Sequence, residues 1–155
     1  MYKEIYQSPI GKVLVEANLQ AIIGVDFFDG DIEENTSDIT HLGIKQLDEY
    51  FKGERLEFDL PLEMQGTDFQ KLVWQRLLEI PYGETKSYQD IAVLLDNPKA
   101  VRAVGGANNR NRIGIVIPCH RVIGKNGKLV GYAGGIDKKA WLLEHEVKII
   151  KQLNK

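Results

Sequence analysis

Hydrophobic and polar residues alternate near the start of the chain in a pattern that predicts β-strands. Three short apolar segments, over 2–7, 12–17 and 21–28, are separated by residues typical of turns. Strands joined by such short turns form an antiparallel meander. A helix over 40–51 follows, and its predicted apolar face consists of Leu42, Ile44, Leu47, Tyr50 and Phe51.

From Gln65 onward the pattern changes to helical spacing with capping signals. Thr67-Asp-Phe-Gln70 and Ser87-Tyr-Gln-Asp90 each fit a capping box. The first helix is expected to end before Pro81, and the second at Asp96-Asn97. Pro98 is expected to be the first residue of a third helix, which reaches about Ala107.

The last predicted helix, over 137–152, carries an apolar stripe that contains one carboxylate. Glu146 falls inside this stripe, and an unpaired charge on a buried face is costly. Its partner is expected to be a Lys, an Arg or His120. The apolar members of the stripe are Leu142, Leu143, Val147, Ile149, Ile150 and Leu153.

These elements together predict an α/β protein. A small N-terminal α/β lobe, with a short antiparallel sheet plus a helix, occupies 1–62 and packs on a mainly helical C-terminal domain, 63–155. The helices near 87–95 and 98–107 make a helix-turn-helix pattern, and the second of them is basic. Simple helical hairpins look similar, so this pattern alone leaves DNA binding open.

Charge is segregated along the chain. Residues 1–62 contain five Lys or Arg against thirteen Asp or Glu, whereas residues 63–155 contain fifteen against nine. No acidic residue lies between Asp96 and Asp137. A basic surface that attracts phosphates is the favoured interpretation, and a solvated loop is the alternative. The basic residues of this block are Lys99, Arg102, Arg110, Arg112, Arg121, Lys125 and Lys128.

The single cysteine, Cys119, is the candidate nucleophile. It lies on a segment expected to be extended, and it is followed by His120 and Arg121, which would lower its pKa. A small buried hydrophobe is the alternative role. One cysteine excludes an intramolecular disulfide, and three scattered histidines give no metal-ligand spacing, so neither metal nor cofactor is expected. No signal peptide or membrane-length apolar run is present, which predicts a cytoplasmic protein without membrane contact.

Several ordered motifs resemble those of the O6-alkylguanine-DNA alkyltransferases, the methylated-DNA–protein-cysteine methyltransferases. The resemblance covers residues 65–147. It rests on Ser-Tyr-Gln (87–89), Asn-Pro-Lys-Ala-Val-Arg-Ala-Val-Gly-Gly-Ala (97–107), Ile-Pro-Cys-His-Arg-Val-Ile (117–123), Gly-Tyr-Ala-Gly-Gly (131–135) and Trp-Leu-Leu-Glu-His-Glu (141–146).

The resemblance implies a single-turnover transfer of a methyl or alkyl group from O6 of guanine, with O4 of thymine as a possible extension, to Cys119. His120 would act on the thiol through a water while Glu146 holds the imidazole and raises its pKa. Asn111 would support the active-site turn. Tyr88 would donate a proton to the departing base. The implied partner is double-stranded DNA containing O6-alkylguanine, bound by a monomer.

The resemblance also implies how DNA is held. Arg102 would occupy the space that the extruded nucleotide leaves, while Lys99 and Arg110 would contact phosphates. Apart from the resemblance, the small residues Ala103 and Gly105 favour close approach of this helix to a DNA groove or its tight packing on the core. The implied substrate pocket is lined by Tyr132, Ala133 and Gly134, and Ala133 stands where many relatives carry Ser.

Two other classes of function remain open from the sequence. A non-catalytic alkyltransferase-like binder or a helix-turn-helix regulator would keep the scaffold without the chemistry. A cysteine hydrolase would use Cys119, His120 and Glu146 as a triad, although an adjacent Cys and His fit that geometry poorly.

Overall fold

The computed structural model describes all 155 residues, which form two compact units. Unit 1 comprises Met1–Gln65 and Arg112–Val116, and unit 2 comprises Gly66–Asn111 and Ile117–Lys155. The predicted fold class is confirmed, because one unit holds a small antiparallel sheet with a helix and the other is mainly helical. The sequence analysis placed 112–116 with the C-terminal part, whereas this segment belongs to unit 1.

The sheet of unit 1 is the predicted meander. Its strands are β1 (Tyr2–Ser8), β2 (Gly11–Ala17) and β3 (Ile22–Phe27), in the order β1-β2-β3 with antiparallel pairing. Val13, Val15 and Val25 are buried. Because successive side chains of a strand point to opposite faces, Val13 and Val15 share one face of β2, and this face contributes to the core.

Helix α1 (Asp38–Phe51) begins two residues before the predicted start. Ser37 and Thr40 form a capping box that the sequence analysis overlooked. The predicted face is wrong at Leu42, which is 37% exposed, and Gly43 is buried instead. A Cβ atom on Gly43 would lie 3.1 Å from Val15 Cγ1, so a side chain there would require Val15 to shift by a few tenths of an ångström.

The segment 112–116 extends the backbone pairing of β3. The Val25 N–H donates to the Arg112 carbonyl at 2.9 Å, and the Gly114 N–H donates to the Val25 carbonyl at 2.8 Å. Ile115 has a φ of 68°, which β-branched residues rarely adopt. Its side chain is buried, so surrounding contacts hold this strained backbone in place.

Unit 2 contains α2 (Asp68–Leu77), α3 (Tyr88–Leu94), α4 (Val101–Asn109) and α5 (Ile136–Leu153). Both predicted capping boxes, Thr67 with Gln70 and Ser87 with Asp90, are present. The expected position of Pro98 is wrong. The Ala100 N–H donates to the Asn97 carbonyl at 3.0 Å, so Pro98 occupies a turn, where its fixed φ is equally suitable, and α4 begins later.

Two contacts bring the elements of the site together within unit 2. The Trp74 indole N–H of α2 donates to the Ala107 carbonyl of α4 at 2.8 Å. Two short strands, β4 (Lys86–Ser87) and β5 (Val122–Ile123), pair in parallel. Because β4 directly precedes α3 and β5 directly follows the Cys119 turn, this pairing places Tyr88 near the candidate nucleophile.

The buried face of α5 differs from the predicted stripe. Val147 and Leu153 are 43% and 59% exposed, so their predicted burial is wrong. Lys139, Leu142, Glu146 and Ile149 form the buried face instead. Their spacing of three, four and three residues puts them along one side of the helix. Two of these four residues are ionisable, which requires partners for both.

Candidate active site

Cys119 lies in a short 3-10 turn, Cys119–Arg121, and not on an extended segment as expected. Pro118 precedes the turn, and the Arg121 N–H donates to the Pro118 carbonyl at 2.9 Å. Cys119 and His120 are therefore successive residues of a turn and not of a strand. Cys119 is 5% exposed.

Two asparagines at the end of α4 and just beyond it fasten the backbone around the cysteine. Asn111, predicted to support the turn, donates from Nδ2 to the Ile117 carbonyl at 2.9 Å. Asn108, which the sequence analysis did not select, donates from Nδ2 to the Cys119 carbonyl at 3.3 Å. Asn108 is buried, and helical spacing alone gave no reason to assign it to the site.

Glu146 is completely buried and accepts hydrogen bonds on both carboxylate oxygens. Oε2 lies 2.7 Å from His120 Nε2 and 3.0 Å from Arg121 Nη2. Oε1 accepts from Arg121 Nε at 2.8 Å and from the Gly83 N–H at 3.2 Å. The predicted contact between Glu146 and His120 is thus present, and Arg121 is a second partner that the sequence analysis assigned to the basic surface.

Arg121 is not a surface residue. It is 6% exposed, and its Nη1 donates to the Ile80 carbonyl at 2.8 Å. Its guanidinium also lies 5.5 Å from the centre of the Tyr82 ring. Arg121 therefore neutralises Glu146 inside unit 2 and does not contribute to a phosphate-attracting surface.

The charge state of this cluster follows from its burial and its partners. Burial alone would raise the pKa of Glu146, but hydrogen bonds and charges from His120 and Arg121 bring the pKa well below its ordinary value. The carboxylate is therefore ionised at neutral pH.

The expectation that the pKa of His120 is raised is wrong, although Glu146 itself acts in that direction. Burial lowers the His120 pKa, the charges of Arg121 and Lys139 lower it further, and the Glu146 hydrogen bond opposes them only in part. The imidazole is therefore neutral at pH 7. Since the ionised Glu146 accepts from Nε2, the ring proton is on Nε2 and Nδ1 is the basic nitrogen. His120 Nδ1 is buried and has no hydrogen-bond partner.

Tyr88, at the first position of α3, is half-buried near Cys119. Its hydroxyl donates to the Val130 carbonyl at 3.0 Å. Burial raises the Tyr88 pKa, negative charge at Cys119 raises it further, and a hydrogen bond from Asn108 lowers it in part. The phenol is thus protonated at neutral pH, as a proton donor must be.

Lys139 is a buried cation beside these groups that the sequence analysis missed. Its Nζ donates to the carbonyls of Val122 and Val130, at 2.5 and 2.9 Å, and lies 5.9 Å from the centre of the Tyr88 ring. Burial lowers the Lys139 pKa to about 8, while negative charge at Cys119 acts in the opposite direction. Its position seven residues before Glu146, on the same helical face, was the available signal.

The residues predicted to bind DNA lie on and around the exposed side of α4. Lys99, Arg102, Ala103 and Arg110 are exposed, and Gly105 is partly exposed. Nothing lies within 4 Å of the position that a Cβ atom on Gly106 would occupy. Glycine in a helix costs about 1 kcal/mol relative to alanine, and the fold itself does not require it there.

The predicted pocket residues follow one another on the glycine-rich segment. Tyr132 and Gly134 are partly exposed, and Ala133 is exposed. The Gly135 N–H donates to the Tyr132 carbonyl at 2.9 Å and closes a turn around Ala133 and Gly134. Gly131 has a φ of 59°, and a Cβ atom there would lie 3.0 Å from Asn109 Oδ1, so glycine suits both the backbone and the space.

No group of three or more His, Cys, Asp or Glu side chains is arranged to hold a metal ion. No helix combines the length and the apolar character needed to span a bilayer.

Unit 2 thus contains a buried cysteine, followed in the chain by a neutral His120 that is hydrogen-bonded to an ionised Glu146, and two consecutive helices in a helix-turn-helix pattern. This combination indicates a DNA-directed protein that acts through a cysteine, and comparison with known proteins specifies the family. The DNA-binding domain model of 6-O-methylguanine DNA methyltransferase matches residues 68–148, and the ribonuclease-like domain model of the same family matches residues 1–64. The chain belongs to this family.

Individual relatives agree along nearly the whole chain. A methylated-DNA–protein-cysteine methyltransferase from Methanosarcina barkeri is 50% identical over 154 residues, which cover 94% of this chain and 97% of the relative. The crystal structure of Mycobacterium tuberculosis O6-methylguanine methyltransferase has a TM-score of 0.87 and 42% identity. This match covers 95% of this chain and 93% of the relative's chain. The crystal structure of Mycobacterium tuberculosis OGT in complex with DNA has a TM-score of 0.89 and 42% identity. This match covers 96% of this chain and 94% of the relative's chain.

Proposed function

We propose that this chain repairs alkylated DNA directly, by irreversible transfer of a methyl or alkyl group from O6 of guanine to Cys119. Membership of the family and the similarity to a DNA-bound relative support the reaction class. The observation that carries the assignment is the hydrogen bond of 2.7 Å between Glu146 and His120, which leaves Nδ1 of His120 as the basic atom next to the only cysteine.

The proton of the Cys119 thiol passes to His120 Nδ1, through a water as the family resemblance implies. A thiolate is the nucleophilic form of cysteine, and the neutral imidazole is the form that can accept this proton. The Cys119 sulfur then forms a bond to the alkyl carbon as the bond between that carbon and O6 breaks. The electron pair of the broken bond stays with the guanine. Because the thioether is stable, each molecule reacts once.

Tyr88 supplies the proton that the departing guanine needs. Negative charge develops on the purine as the C–O6 bond breaks, and a positioned phenol stabilises it. Lys139, which donates to the same Val130 carbonyl as Tyr88, provides positive charge nearby. The substrate range includes O4 of thymine only if this proton donor also suits a pyrimidine.

DNA is bound by the exposed face of α4. An O6 atom cannot be reached inside a duplex, so the nucleotide must be extruded, and Arg102 fills the vacated space. Lys99 and Arg110 contact phosphates, while Ala103 and Gly105 allow close approach. In the pocket, Tyr132 and Gly134 face the base, and the backbone N–H at Ala133 contacts O6 in the absence of a serine hydroxyl.

Residues 1–62 are an accessory lobe, and residues 63–155 hold the active site and the DNA-binding surface. The protein acts in the cytoplasm as a monomer on double-stranded DNA that contains O6-alkylguanine, and needs no cofactor.

The test is the intact mass of the protein after incubation with a duplex containing one O6-methylguanine. We expect the mass to rise by one methyl group, with one equivalent of DNA repaired and none afterwards. Cys119→Ser, which replaces the thiol with a less nucleophilic hydroxyl of similar shape, is expected to show no gain. DNA binding without a mass increase would favour a non-catalytic binder, and repeated turnover would exclude the mechanism.

Arg102 has its own test. Arg102→Ala is expected to slow repair of the duplex far more than reaction with free O6-benzylguanine, since only the duplex requires extrusion. Lys99→Ala is the matched control, and should weaken DNA binding and reduce its salt dependence without changing the ratio of the two rates at saturating DNA. Equal losses on both substrates would contradict the role of Arg102.

A further inference from the structure

Asn108 contacts both the cysteine turn and the phenol of Tyr88. It lies in the last turn of α4, is 2% exposed, and donates from Nδ2 to the Cys119 carbonyl at 3.3 Å. Gly105, three residues earlier on the same face of α4, lies against Tyr88, since a Cβ atom there would be 3.9 Å from Tyr88 Cδ1. This face therefore also brings Asn108 to the phenol, and a hydrogen bond from the Asn108 side chain lowers the pKa of Tyr88. A single amide thus joins the residue that carries the nucleophile to the proposed proton donor.

The direction of these hydrogen bonds follows from the atoms that remain unpaired. Asn108 Oδ1 is buried and has no hydrogen-bond partner. The atom that acts on Tyr88 is therefore the amide nitrogen, whose two N–H groups serve Cys119 and Tyr88. A buried acceptor without a donor costs free energy, and the contacts made by the two N–H groups of Asn108 must offset this cost.

An amide N–H directed at a phenol oxygen has a specific chemical effect. The oxygen of Tyr88 accepts from Asn108, so its only proton points elsewhere, and it is donated to the Val130 carbonyl in this structure. When the phenol gives its proton to a departing base, the N–H of Asn108 stabilises the phenolate left behind.

We propose that Asn108 is a positioning residue for the transfer reaction, which orients the Tyr88 hydroxyl relative to the Cys119 turn and makes the phenol a better proton donor. The inference rests on the proposed function, in which Tyr88 protonates the departing guanine. It adds a residue that acts through Tyr88 and does not itself touch the reacting atoms.

The test compares single-turnover rates for two duplexes, one with O6-methylguanine and one with O6-methyl-8-azaguanine. The extra ring nitrogen makes the departing purine less basic, so its release depends less on a proton donor. We expect Asn108→Leu to react about tenfold more slowly with O6-methylguanine, the loss that one hydrogen bond to a developing charge gives. The loss with the 8-aza substrate should be clearly smaller.

Asn108→Asp is the second variant. It keeps the shape of the side chain but removes both N–H donors, and its rate loss should likewise be larger with O6-methylguanine than with the 8-aza substrate. In a Tyr88→Phe background, Asn108→Asp should cause a clearly smaller loss than in the wild type, because the part of its effect that runs through the phenol is absent and only the contact with the Cys119 carbonyl is lost. Equal losses on both substrates, or a full additional loss without the phenol, would overturn the inference and leave Asn108 a purely structural residue.

These outcomes are distinct from failure of the proposed function. If the wild-type protein transfers no methyl group, the proposed function fails and the inference fails with it. If the wild type reacts and Tyr88→Phe reacts equally fast, transfer to Cys119 stands, but the proton donor and Asn108 lose their roles.

Discussion

The two units of this protein bury polar side chains of different kinds. In unit 1 the buried polar residues are Thr40 and Gln46, which are neutral. In unit 2 they are Asn108 and four ionisable residues, His120, Arg121, Lys139 and Glu146. Burying a charge costs more than burying an amide, and a fold has no need to do so for stability alone. This difference indicates that the reactive groups of the protein lie in unit 2.

Each unit also contains an arginine–carboxylate pair, and these two pairs allow a direct comparison. In unit 2 Arg121 Nε lies 2.8 Å from Glu146 Oε1, and in unit 1 Arg55 Nε lies 3.0 Å from Glu49 Oε1. The side chains are 7% and 1% exposed in the first pair, and 27% and 29% exposed in the second. The two Nε–Oε1 distances are similar, but Arg121 makes a second hydrogen bond to Glu146 and Arg55 makes one to Glu49. Burial and this second hydrogen bond therefore separate the two pairs.

The largest expected effect is that of breaking the buried pair. Arg121→Met should lower the free energy of unfolding by about 3–5 kcal/mol, because Glu146 loses its charged partner while it remains buried. Denaturant titration followed by circular dichroism measures this loss. A change below about 1 kcal/mol would mean that water reaches Glu146, and that burial does not distinguish the two units.

Lys139 should give unit 2 a dependence of stability on alkaline pH. Its folded pKa is about 8 and its ordinary value is 10.5. Between these values the unfolded chain holds a proton that the folded chain lacks, so stability rises with pH, by about 3 kcal/mol over the full interval. Negative charge at Cys119 opposes this lowering of the Lys139 pKa. Lys139→Met should remove this rise, as measured by denaturation at several pH values, and a rise that persists in the variant would assign it to another group.

Glu146→Gln should separate chemistry from DNA binding. A glutamine amide that donates to His120 Nε2 would move the ring proton to Nδ1, which then cannot accept a proton from the thiol. We expect methyl transfer to slow by about a hundredfold, the lower range for loss of a general base, with DNA affinity nearly unchanged. Quenched-flow and equilibrium binding measure the two properties. An unchanged rate would show that His120 is not the base.

The smallest effect is expected for the partly exposed pair. Arg55→Met should cost less than about 1 kcal/mol, because solvent screens the charges and Glu49 stays hydrated after the change. Arg55→Met is the matched control for Arg121→Met and is measured by the same denaturant titration. A loss as large as that of the buried variant would refute the comparison between the units.

Much of the local structure could be predicted because its causes are local. The capping boxes at Thr67 and Ser87 depend on side chains three residues apart, and the strands of unit 1 depend on alternation within a few residues. The link between Glu146 and His120 could also be predicted, because a carboxylate within an apolar stripe requires a partner and a histidine stands beside the only cysteine.

Other features depended on what packs against a residue. Leu42 is exposed while Gly43 is buried against Val15, where a Cβ atom would lie only 3.1 Å from Val15 Cγ1. Arg121 resembles the surface arginines in sequence, yet it is buried against Glu146. The sign of the His120 pKa shift likewise followed from burial and from two cations, and a prediction that counted only Glu146 gave the opposite direction.

The sequence by itself determined the secondary structure pattern, the segregation of charge and the identity of the candidate nucleophile, because propensity, capping and composition are properties of neighbouring residues. Only the tertiary structure decided that the segment 112–116 pairs with β3, that Cys119 lies in a turn, and that Asn108 and Lys139 join Tyr88 near it. The physical reason is that desolvation and hydrogen bonding depend on atoms brought together from distant parts of the chain.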